Sequence, residues 1–462
     1  MRRLACLVVA MLFVGCGGGG GGGGDHPPAI SNLQFSPTSA AVGENGGVVT
    51  VNGSFSFTDG GGDLATFQVT TYDHSGNQVG TLSSPLSGLS GVTSGTLFGS
   101  VTFNTTNADV FTYKFKVMDA AGSASNILQG TFTVTSQVFS QADITGTWDI
   151  VRILSGGNAG WFHTTRTFDA SGNVTAITND LDSAGNTNSG SSTLKWGIDS
   201  TGMLHEFDNN VYTGFRGKMS SDKELVSSAG THSISPITAQ MTIARKRTGT
   251  VFSNADLAGI TFAYHALTTG SGNHWEYGAG YTNASGQLTI MSTTVPPGYV
   301  GNLVAPNSDT FSVSPAGIVT LANDNTFYGL MTDDKKAIFT VMGDQTAGYG
   351  LMVILLTGQT FTQADYAGTF SFAALRNGST VPTWAYGVGS IDAVGNGDYL
   401  SYADSSGAPP SPSTYIRLLS TTGVITDPAD GTFHGQMSYN KDITVRTSTR
   451  STSNHGMNIS FR

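Results

Sequence analysis

Three features of the sequence predict an all-β chain, with one sandwich followed by three tandem eight-stranded antiparallel meanders. Glycine supplies 62 of 462 residues and charged residues only 11%. That balance deprives helices of the Glu, Lys and Ala they favour. Short period-two apolar runs are broken throughout by Gly, Asn, Asp and Ser, and no amphipathic helical period interrupts them. One phrase is also written three times along the last two thirds of the chain. Hydrophobic residues at 38% are enough to build β cores.

The start of the chain reads as an address. Met1-Arg2-Arg3 is basic, Leu4 to Val14 is apolar, and Gly15-Cys16 precedes a run of glycines from Gly17 to Gly24. The apolar stretch has signal-peptide length and is too short for a membrane-spanning helix. This arrangement resembles a bacterial lipoprotein signal. The resemblance implies a lipidated Cys16, with residues 1–16 as signal peptide and lipid site. It places the protein in the cell envelope, as an outer-membrane lipoprotein or at the cell surface, with the membrane as a partner through its lipid. Residues 17–28 are a Gly-rich tether with a reach of about 19 Å. The only cysteines are Cys6 and Cys16, so no disulfide is expected and the fold must rest on packed cores.

Residues 29–136 alternate in the manner of strands. Val48, Thr50 and Asn52 alternate with Val49 and Val51, and Phe111, Tyr113, Phe115 and Val117 form an inward set. Asp73-His74-Ser75-Gly76 and Asp119-Ala120-Ala121-Gly122 are hairpin turns. With its Pro28-Ala29-Ile30 entry, Phe57-Thr58-Asp59 and the late Val117–Gly122 turn, the segment resembles a bacterial immunoglobulin-like domain. Asp59, Asp63 and Asp119 are candidate calcium ligands, a hard cation preferring carboxylate oxygens. The alternative is turn capping by Asp.

The repeats are expected at residues 137–248, 249–358 and 359–462. Each opens alike, from Phe139 through Asp143 to Gly146, from Phe252 through Asp256 to Gly259, and from Phe361 through Asp365 to Gly368. Each then carries a tryptophan, at Trp161, Trp275 and Trp384. Turns closed by Gly172, Gly286 and Gly395, and then by Gly202, Gly317 and Gly423, suit a left-handed glycine after a type I turn. A Phe-x-Gly-x-Met strand recurs from Phe215, Phe327 and Phe433, with Lys223, Lys335 and Lys441 in the tight turn beyond. The bare glycine leaves room for a neighbour, for which the repeated tryptophan is a candidate. The lysines are expected to solvate their turns. Strand starts in the first copy are expected at Thr147, Trp161, Asn173, Thr193, Met203, Val211, Glu224 and Ile237. Eight strands per copy fit separate up-and-down barrels, joined at residues 248–250 and 357–359, or paired blades of a six-bladed propeller.

Gly146-Thr147-Trp148 and Gly368-Thr369-Phe370 resemble the Gly-x-Trp that opens lipocalin-type barrels. That likeness implies a basic residue stacked on the ring, Arg245 in the first copy and Arg462 in the third. It also implies carriage of a small apolar ligand.

Most familiar chemistry lacks its signature. The sequence holds no His-Glu-x-x-His, no Cys-x-x-Cys-His and no Gly-x-Ser-x-Gly. Asp143, Asp256 and Asp365 recur at the entrance of each copy, where loop capping is expected. A formal charge of −10 with scattered Lys and Arg argues against nucleic acid. The chain is therefore expected to be non-enzymatic and cofactor-free, serving surface display, adhesion or scaffolding. Its partner would be a surface protein or a glycan, with Trp161, Trp275 and Trp384 as candidate ligand-binding rings. The alternatives are a lipocalin-like carrier and a propeller-type glycan binder or enzyme.

Overall fold

The computed structural model describes residues 26–462 apart from 37, 43–46, 106–107, 137, 188–191, 235, 300–308, 344–347, 378–380, 393, 408–413 and 452–453, together with 5–6 and 11–14. Cys16 and the glycine run lie outside the described residues. The chain divides into two compact units, Met1–Gln137 and Val138–Arg462.

In the first unit, Ala29–Ser36, Gly47–Thr58 and Ser94–Thr105 form one sheet. Ser39–Val42, Leu128–Ser136, Asp109–Asp119, Leu64–Tyr72 and Gln78–Pro85 form the other. Their inner faces meet in a core that includes Phe55, Phe57, Leu97, Phe67, Val69, Phe111, Val117 and Phe132. Phe55 stacks on Phe67 across it at 5.7 Å. The free edge of Ser94–Thr105 pairs with Met11–Val14 and Ala5–Cys6, the apolar stretch read as the signal.

In the second unit each copy builds its own antiparallel sheet. The first copy runs Gly146–Gly156, Gly160–Phe168, Val174–Asp182, Leu194–Ile198, Met203–Asp208, Val211–Met219, Leu225–Ile234 and Ile237–Lys246. The spatial order is 3-2-1-8-7-6-5-4, so the first strand pairs with the last. The second copy repeats this order, and the third adds only a break within one strand. The remaining edges meet at the Asn173–Lys195 and Gln287–Thr310 bridges, and in the third copy by pairing of Asn396–Asp404 with Thr414–Ile416. These are up-and-down barrels. A propeller would need two separate four-stranded sheets per copy.

The opening phrase plugs one end of each barrel. Ser140 N–H donates to Asp143 Oδ2 at 2.8 Å, and the same cap recurs at Ser253–Asp256 and Thr362–Asp365. Phe139, Phe252 and Phe361 press against Gly202, Gly317 and Gly423, whose φ angles are +83°, +80° and +86°. A Cβ at any of the three would lie within 2.8 Å of the ring. Lys223, Lys335 and Lys441 do more than solvate their turns. Each holds a positive φ and reaches back to the opening aspartate at 2.9, 2.9 and 2.8 Å.

The barrels do not stand apart. Outward residues of the first, seventh and eighth strands of all three copies merge into one continuous core. It contains Val151, Ile153, Met241 and Ile243 from the first copy, Leu267, Phe339, Val341 and Val353 from the second, and Leu375, Val445, Ile459 and Phe461 from the third. These strands are thus buried on both faces, one toward their own lumen and one toward the shared core.

Candidate functional site

The three tryptophans occupy equivalent places on the outer face of the second strand, opposite Ile153, Leu267 and Leu375. Those partners belong to the shared core, so the rings face the seams between copies. Trp161 stacks on His163, which stacks on Tyr328 of the second copy at 3.6 Å. Trp275 donates from Nε1 to Thr449 Oγ1 of the third copy at 2.6 Å, beside His434. Trp384 donates to Thr231 Oγ1 of the first copy at 2.9 Å, and Arg216 there reaches Tyr386 at 2.7 Å. The contacts run from copy one to two, two to three and three to one, closing a ring. Trp161 and Trp275 are buried and Trp384 half-buried. An open face for stacking on a sugar is not what these positions present.

The glycine in Phe-x-Gly-x-Met accommodates a different neighbour. A Cβ on Gly217 would meet Val226, and on Gly329 it would meet Ile338, both on the seventh strand. The tryptophans project from the opposite face of the barrel wall. The variable residue of the motif meets the seam instead, as Arg216, Tyr328 and His434.

The cation over Trp148 is Lys246, at 5.8 Å, and not Arg245. Arg245 lies opposite Asp149, on the outer face. It is 1% exposed, bonds Asp149 and donates to Met331 O of the second copy at 2.6 Å. Asp149 also accepts from Arg247 at 2.7 and 2.8 Å. In the third copy Arg462 does stand over Phe370, at 5.0 Å.

In the first unit the three aspartates gather at one end of the sandwich. Asp63 N–H donates to Asp59 Oδ2 at 2.9 Å, and Ala120 N–H donates to Asp63 O at 3.0 Å. Asp119 Oδ1 accepts from Ser123 N–H, the capping pattern of a turn. Asp59 Oδ1 and Asp119 Oδ2 are buried without a protein partner. Among the described residues, no three His, Cys, Asp or Glu side chains come together closely enough to hold a metal ion.

The lumens differ. The second is packed with Phe262, Tyr264, Phe311, Phe327, Met342 and Met352, and the void left is about 10 Å³, room for one water. The third holds Tyr399, Tyr402 and Tyr415 together with Arg417, which is paired to Asp427 and lies 4.2 Å from the Phe433 ring. The first has an apolar base of Trp148, Ile150, Phe168, Trp196 and Phe215. Above it stand Arg152, Arg166 and Glu206, placed inward by pairing with Thr242, Trp148 and Trp196 respectively. No local sequence pattern marks this polar tier, because its members stand on different strands and Arg152 meets Thr242 across 90 residues.

No family model matches the chain, and no curated protein does. Among solved structures, a tryptophan-to-alanine mutant of the vaccine antigen Transferrin Binding Protein B from Haemophilus parasuis is similar at 10% identity. The match covers 76% of this chain and 83% of that one, with a TM-score of 0.22. The isotype 1 Transferrin binding protein B of serogroup B Neisseria meningitidis is similar at 10% identity, over 92% of this chain and 78% of that one, with a TM-score of 0.21.

Proposed function

We propose that this is a non-enzymatic lipoprotein of the cell envelope that displays a rigid three-barrel head at the surface. Cys16 carries the lipid, residues 17–28 form the tether, and an immunoglobulin-like domain at 29–136 is the spacer. One observation carries the reading. The residues repeated in all three copies are used for architecture: the phenylalanines plug, the Asp–Lys pairs lock, and the tryptophans weld the seams. None of them is left to converge on a reacting atom. A surface protein or glycan would then meet the outer loops of the head. Apolar cargo inside the second barrel is not favoured, since that lumen is filled by its own side chains.

The test is mass spectrometry of the mature N-terminus together with external protease treatment of intact expressing cells. The expected result is a lipid-modified Cys16 and a head cleaved from outside. Cys16→Ala should release the protein from the membrane fraction. An unmodified N-terminus elsewhere in the chain, or a head protected in intact cells, would refute the proposal.

A further inference from the structure

The polar tier in the first barrel is an electrostatic oddity. Its one carboxylate is already engaged, since Glu206 Oε2 accepts from Trp196 Nε1 at 3.0 Å and from Arg166 Nη1 at 3.3 Å. Arg152 donates from Nε to Thr242 Oγ1 at 2.9 Å. Among the described residues no carboxylate lies within ion-pair distance of it. Burial pushes its pKa down to about 10, and neighbouring Arg166 pulls the same way against Glu206. Two guanidinium groups therefore share one acid.

The surrounding groups lack partners too. Arg166 Nε, Thr164 Oγ1 and Ser228 Oγ are buried with no hydrogen-bond partner. All three face the lumen, because Thr164 pairs with Ile150, Arg166 with Trp148 and Ser228 with Thr242. Gly230, two residues along the same face as Ser228, would place a Cβ in ordinary van der Waals contact with Gly214 O at 3.6 Å. Buried donors without acceptors are costly, and a half-buried guanidinium with no carboxylate in ion-pair reach adds to that cost.

The sibling barrels show that the fold does not require this tier. By register, Arg152, Thr164 and Arg166 correspond to Ala266, Gly278 and Gly280 in the second copy. In the third they correspond to Ala374, Gly387 and Gly389. Small residues suffice there, so the charge in the first copy is an addition to a common frame.

We propose that the lumen of the first barrel binds a small oxyanion, a carboxylate or phosphate group, held by Arg152 with Arg166, Thr164 and Ser228 as further donors. A guanidinium fork matches either group, and an ionised acceptor supplies what the orphaned donors lack.

The test is calorimetric titration and thermal melting of the full chain with acetate, succinate and inorganic phosphate, at ionic strength held constant with chloride. At least one probe should bind saturably with one site per chain and raise the melting temperature. Which of them binds separates a carboxylate from a phosphate ligand. Arg152→Met should weaken that binding at least tenfold, while its anion-free melting temperature stays equal or rises. Where Arg152→Met does not fold, the shape-conserving pair Thr164→Val and Ser228→Ala reads the same loss. The proposal is overturned if no probe binds, if the variants bind as tightly as the parent, or if a folded Arg152→Met melts markedly lower without anion, which would make Arg152 a structural cation.

Discussion

Cutting residues 137–248 out as a separate fragment strips one barrel from its siblings. The fragment keeps its closed ladder and its own interior, from Trp148 and Ile150 to Trp196 and Phe215. It exposes Val151, Ile153, Trp161, Leu225, Met241 and Ile243, all now in the shared core. At about 1.5–3 kcal/mol per large side chain returned to water, these six forfeit roughly 9–18 kcal/mol. A whole domain is stable by only about 5–15 kcal/mol. The fragment should therefore aggregate or lack fixed tertiary packing, with β-type far-ultraviolet dichroism but no cooperative melt. In the intact chain, the block of about 325 residues should melt as one unit with an enthalpy near 230 kcal/mol, beside the separate transition of the sandwich. Calorimetry checks this through the ratio of van't Hoff to calorimetric enthalpy. A monomeric, sharply melting fragment, or three transitions of about 75 kcal/mol each from residues 138–462, would refute the reasoning.

Other consequences are measurable on the full chain. Asp149→Ala strands buried Arg245 without its acid and should cost about 3–5 kcal/mol in urea unfolding. Gly202→Ala forces a left-handed alanine against the Phe139 ring and should cost about 1–3 kcal/mol by the same measurement, whereas Gly76→Ala, with open space around it, should cost less. His265 bonds Thr447 across a seam, and burial, aided by His434, lowers its pKa from 6.5 to about 3. The unfolded chain then binds the extra proton first. This stability is fully present above pH 6.5 and is lost as the pH falls toward 3, with a slope near 1.4 kcal/mol per pH unit. The difference between parent and His265→Phe in midpoint against pH isolates that slope, and parallel curves would contradict it.

Much of the fold was legible in local chemistry. The expected strand starts in the first copy fall within one residue of those observed, because each follows a turn whose residues permit little else. Gly172, Gly286 and Gly395 take the left-handed conformation that their Asp- or Asn-led turns demand. The welding of the copies was missed because a period-two reading assigns one buried face to each strand. The second copy did carry the signal. Ala337–Met342 and Leu351–Leu356 are apolar almost without interruption, as strands covered on both sides are. In the first and third copies Ser and Thr at the same strands hide it, as in Leu225–Ala229 and Ile443–Thr447. The Asp–Lys locks and the Arg152 tier join residues some 80–90 positions apart, a distance no local pattern spans.

The ring of seams also bears on how the head could be threaded. Val138 O accepts from Lys223 Nζ at 3.2 Å and Arg462 O from Ser221 N–H at 3.1 Å, so both extremities of the block are fastened to one hairpin bend. A short peptide could join them, and the chain could be reopened at Gly249 or Gly358, both glycines with positive φ outside the strands. Order of synthesis would then be exchangeable while the assembled solid stayed the same, as for a trimer whose subunits happen to be strung on a single thread.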